Sequence, residues 1–100
     1  MVAMRVQRFE YCFYFNTKES NYVLRQQDLE TNCIETVSVG LKSTLDFIDN
    51  LLIEIDEQMT NIQSVESLTE IKKGYTTLKQ SIQKEVLKDE WFTTINRIYL

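Results

Sequence analysis

The sequence predicts an α+β domain in which a short antiparallel sheet packs against an antiparallel two-helix hairpin. Three observations carry that expectation. Residues 8–39 hold short aromatic and β-branched runs separated by polar turns, residues 41–62 repeat apolar side chains four and three apart, and residues 68–86 do so again in a different phase. The first pattern belongs to strands and the other two to amphipathic helices. A chain of 100 residues that is 43% hydrophobic and 26% charged has enough apolar material for one modest core, so a single ordered domain is expected. Its parts are a β-rich segment (1–40), a helical hairpin (41–90) and a tail (91–100).

Arg8 to Phe15 (RFEYCFYF) is too dense in aromatics to read as a helix and is assigned to a strand. The polar stretch Asn16 to Asn21 is a turn, and Tyr22 to Arg25 begins a second strand. Gln26 to Glu30 is either its continuation or a helical turn. Cys33 to Val39 alternates Cys33, Glu35, Val37 and Val39 on one side with Ile34, Thr36 and Ser38 on the other. The expectation is a three-stranded meander.

Leu41, Leu45, Ile48, Leu52, Ile55, Met59 and Ile62 form an unbroken heptad seam. A second seam runs through Leu68, Ile71, Tyr75, Leu78, Ile82 and Val86, and its change of phase means that one straight helix cannot present both on one face. Ser67 and Glu70 have the spacing of a capping box, which puts a turn near Gln63 to Glu66; Ser43 to Asp46 offers a weaker start for the first helix. Gly74 weakens the second helix by about 1 kcal/mol relative to alanine unless another element approaches there. Strand formers crowd Trp91 to Leu100, so that tail is expected to return as a fourth strand; its rival is a continued helix with Leu87, Trp91, Ile95 and Ile98 as the seam.

Charge is polarised along the chain. Between Ser43 and Ile71 there are seven acidic and no basic residues, whereas from Lys72 onward six are basic and three acidic. In an antiparallel hairpin, flanks of the same rotational sense meet, so Asp49 and Asp56 should face Lys79 and Lys72. Asp46, Glu54 and Glu57 are left on the outer arc of the helix with Phe47 and Ile53. These five are the candidate partner-binding residues, because carboxylates beside apolar side chains suit a protein interface and can be steered onto a basic groove, including one that ordinarily holds nucleic acid.

Other functions find little support. The chain has no histidine, hence neither the usual general base near neutral pH nor the commonest zinc ligand. Cys12 and Cys33 form no CxxC pair and are expected to be reduced and largely buried. With glycine only at positions 40 and 74 there is no phosphate-binding loop. No enzyme, metal site or cofactor is expected. The aromatic strand superficially resembles a base-stacking one, but a net charge of −4 and a pI near 4.8 disfavour direct nucleic-acid binding.

No run is long and apolar enough to span a membrane, and MVAMRVQRFE lacks an apolar signal core, so a cytoplasmic location is expected. Phe, Tyr, Met, Ile, Asn and Lys number 35 against 7 for Gly, Ala, Arg and Pro, a bias pointing to a low-GC genome or a mobile element within one. The expected function is that of a small acidic inhibitor, adaptor or regulator acting through protein contacts. The alternative is a self-assembling protein, a homodimer in its simplest form, built on its heptad seams.

Overall fold

A computed structural model describes residues 1–61 and 65–99 of the chain, with side chains placed at 1–60 and 66–88. Four strands, β1 (Val2–Val6), β2 (Phe9–Asn16), β3 (Asn21–Asp28) and β4 (Ile34–Val39), precede helices α1 (Leu41–Asn61) and α2 (Val65–Tyr99). The strands form an antiparallel meander in the order β1-β2-β3-β4. Both helices lie on one face of it, α2 over β1 and α1 over β3 and β4.

The pleat of β2 explains how the sheet divides inside from outside. Tyr11 and Phe13 point to the helices and are buried, while Glu10, Cys12 and Tyr14 point away. Leu24, opposite Phe13, joins the inner face. Ile48 and Ile55 of α1 and Tyr75, Leu78, Ile82 and Val86 of α2 complete the core, so both sequence seams point inward. Phe13 stacks on Tyr22 with ring centroids 5.1 Å apart, and Tyr11 meets Tyr75 edge to face at 5.7 Å. The aromatic strand is therefore largely core, although Phe15 at its end is 49% exposed.

Several expectations need correction. Val2–Val6 is a strand that the sequence reading did not assign, so the sheet's fourth strand is N-terminal. Residues 91–99 continue α2. Strand propensity in the tail is a weak preference that depends on a sheet to join, and no glycine or proline stands between Gly74 and residue 99 to stop the helix. Gln26–Asp28 extends β3 rather than starting a helical turn. The alternation of β4 breaks at a bulge opposite Leu24 and Arg25. Through it Val37 packs on the core while the neighbouring Ser38 reaches Thr44, two successive residues on the helix side. Cys12 is half-buried and Cys33 exposed, both as free thiols. They sit on β2 and beside the end of β3, roughly 10 Å or more apart by strand spacing and rise, too far for a disulfide.

Both helices begin two residues before the expected signals. Of the expected turn at Gln63 to Glu66, the first two residues lie outside the described residues, as does Ile62, and the last two already belong to α2, which starts at Val65 and so places Ser67 and Glu70 inside it. At the other end β4 passes into α1 through Gly40 alone. Gly40 has φ +96°, and its N–H donates to the Tyr22 carbonyl at 2.7 Å. The buried Thr44 then anchors the first turn, its Oγ1 within 2.8 Å of both the Gly40 carbonyl and Ser38 Oγ. Gly40→Ala is expected to lower stability by roughly 1–2 kcal/mol through the left-handed backbone, since the space beside it is open enough for a methyl group. Thermal unfolding followed by circular dichroism would measure the loss.

Gly74 has a packing reason. A Cβ there would stand 3.0 Å and 3.3 Å from the two methyl carbons of Val6, so glycine lets α2 settle onto β1.

Candidate functional site

The outer face of α1 is the candidate site, and its exposure follows from the helix period. Thr44, Ile48 and Ile55 occupy the buried side, with Leu45 and Leu52 on the flank toward α2. The opposite side carries Asp46, Asn50, Ile53 and Glu57, all exposed and spaced four, three and four apart, which is one stripe along the helix. Ile53 is 56% exposed at the middle of that stripe.

Beside the stripe the hairpin closes with two ion pairs, in the pairing read from the sequence. Lys79 Nζ donates to Asp49 Oδ1 at 2.6 Å, and Lys72 Nζ meets Asp56 Oδ1 at 2.8 Å. These carboxylates are partly neutralised by the protein itself. Each pair is solvent-accessible enough to contribute only about 0–1 kcal/mol, and together they mark the stagger that the packed seams of α1 and α2 set.

The five residues singled out from sequence separate in the fold. Asp46, Ile53 and Glu57 share the outward stripe. Glu54 is exposed but stands off the stripe, along a shallow depression where Gln7 and Phe9 of the β1–β2 turn meet Gln58 of α1 and Ile71 and Tyr75 of α2. Phe47 is half-buried and packs against the core, so it belongs to the contact of α1 with the sheet. Heptad spacing could not separate these two, because only the position of the sheet decides which flank is covered.

Two further surfaces escaped the sequence reading. The sheet face away from the helices carries a shallow depression of about 230 Å³ lined by Glu10, Cys12, Arg25, Gln27 and Ile34. Strand alternation could have assigned these residues to one face, had the register been known. The other is an apolar groove where α1 begins, lined by Leu41, Leu45, Gln83, Val86 and Leu87. Its sequence signal was the exposed, seam-spaced Leu87.

Titration marks a structural spot rather than a reactive one. Asp28 lies below the usual carboxylate range: partial desolvation pushes it upward but is outweighed by the Glu30 and Thr31 amides and by Arg8, whose guanidinium sits 2.8 Å away. This network ties the β1–β2 turn to the β3–β4 loop. Among the described residues no three His, Cys, Asp or Glu side chains gather as a metal site would require, and no helix is long and apolar enough to cross a membrane.

No protein-family model, curated protein or solved structure matches the chain. The fold defines a two-layer α+β protein, and its function has to be argued from its surfaces.

Proposed function

We propose that this chain is a non-enzymatic interaction module that docks the outward stripe of α1 onto a basic surface of another protein, as a small acidic inhibitor, adaptor or regulator does. The observation that carries the reading is Ile53, exposed at the centre of a stripe with Asp46 on one side and Glu57 on the other. An apolar side chain bordered by carboxylates combines a desolvated anchor with a charged rim. The net charge of −4 adds long-range attraction to a cationic partner. A groove that ordinarily receives phosphates has the matching charge, and carboxylates fixed on a helix can take the places phosphates would occupy. A preformed helix supports this role, because no backbone has to be ordered when it docks.

The immobilised chain tests the reading by capture from a cell lysate, beside Asp46→Lys/Glu57→Lys and Ile53→Glu variants that melt within a few degrees of the native protein. The expected result is a basic protein retained by the native chain, released by moderate salt, and lost with either variant. An identical set of captured proteins from all three chains would refute it.

A further inference from the structure

The apolar groove at the start of α1 encloses about 380 Å³, and Leu87 on its rim is 64% exposed, more than Ile53. Its position in the hairpin is the informative feature. The Asp49–Lys79 and Asp56–Lys72 pairs show how the two helices are aligned, an alignment that puts Leu41, the first residue of α1, level with Leu87. The α2 backbone does not end there. Residues 88–99 extend it by roughly 18 Å at about 1.5 Å per residue, beyond the point where α1 begins. The groove therefore lies at the root of a helical projection.

The sequence of that projection is self-complementary. Leu87, Trp91, Ile95 and Ile98 are spaced four, four and three apart. Two such helices, antiparallel about a two-fold axis with 91 of each against 95 of the other, bring position 87 within one residue of 98, so each of the four positions has an apolar counterpart. The same register brings Glu90 within one residue of Arg97 of the second copy, twice. This repeats the seven-residue spacing by which Asp49 and Asp56 meet Lys79 and Lys72 within the chain. A parallel pair would instead align Glu90 with Glu90 and carry each projection away from the other chain's groove.

We infer that a second copy of this chain occupies the groove, the two α2 projections lying antiparallel so that each reaches the Leu41–Leu45–Leu87 surface at the root of the other. The contact is isologous. Both grooves fill at once, so assembly stops at a closed dimer and does not propagate into a filament. Ile53 lies midway along α1, away from this end, and the stripe around it stays open in the dimer.

Light scattering coupled to size-exclusion chromatography, on the full chain from micromolar to several hundred micromolar, tests the inference. The expected mass is twice the 11.9 kDa of one chain. Leu87→Glu, at a position exposed enough to spare the fold, should weaken association about thirtyfold or more, as expected for a charge placed in an interface centre. Ile53→Glu should leave the dimer intact. Glu90→Arg should weaken it, and Glu90→Arg combined with Arg97→Glu should restore it, a rescue that two residues seven apart on one helix cannot produce by pairing with each other. A monomer at every concentration, a dimer indifferent to Leu87→Glu, or a charge swap that fails to rescue would each overturn the inference.

Discussion

Phe13→Ala is expected to cost about 3–5 kcal/mol of stability, the usual loss for a buried phenylalanine truncated to alanine. The side chain is fully buried, stacks on Tyr22, and lies across the strands from Val2 and Leu24. It thus joins three strands to the layer of helices. Truncation removes the transfer free energy of the ring and leaves a cavity that strands tied on both sides cannot close. In a domain whose whole stability is about 5–15 kcal/mol, the melting temperature should fall by roughly 15–30 °C. Circular dichroism on heating reads this directly. A fall of only a few degrees would mean that the aromatic strand is not the centre of the core, and would reopen the reading of its rings as a stacking surface.

The second large effect concerns the buried Tyr11–Tyr75 pair, whose hydroxyl oxygens lie 2.7 Å apart. This hydrogen bond crosses from sheet to helix inside the core. Tyr11→Phe or Tyr75→Phe alone leaves one buried hydroxyl without its partner and should cost about 1–3 kcal/mol. The double variant removes both polar groups and should cost less than the two single losses added together, a coupling that a double-mutant cycle measures. Strict additivity would show that the hydroxyls do not depend on one another.

The same pair predicts a pH dependence. Burial raises both phenols above the ordinary value of 10.0, Tyr11 the more strongly because its hydrogen bond to Tyr75 also favours the neutral form. The folded state therefore holds protons that the unfolded state releases. The contribution is fully present below the unfolded value and lost as pH rises above it, by up to about 1.4 kcal/mol per pH unit for each phenol held neutral. Urea unfolding between neutral pH and strongly alkaline pH should show this decline in the native protein and a shallower one in the double phenylalanine variant.

The helical hairpin was legible because its signals are local. Heptad spacing gave both seams, and a matching of flanks gave the Asp49–Lys79 and Asp56–Lys72 pairs. What escaped depended on tertiary context. Val2–Val6 is short, and it is a strand because β2 offers it an edge and because Gly74 lets α2 lie against Val6. Residues 91–99 carry strand-forming side chains, yet an uninterrupted helix leads into them. The bulge at Val37 turned two successive residues inward, which no alternation rule allows. At the candidate site, Asp46, Ile53 and Glu57 were placed correctly on one outer arc. Phe47 left it because it packs on the core, and Glu54, though exposed, sits on the depression near the β1–β2 turn. The placement of the other elements decides both, and the sequence of the helix does not carry it.

The most direct measurement of the central claim is a binding footprint. Amide hydrogen exchange, read residue by residue in the free chain and in complex with the captured basic protein, locates the contact without altering any side chain. Protection gained along the middle of α1, around Asp46 to Glu57, is the predicted result. Protection gained on the open sheet face around Cys12 and Arg25, with α1 unchanged, would contradict it.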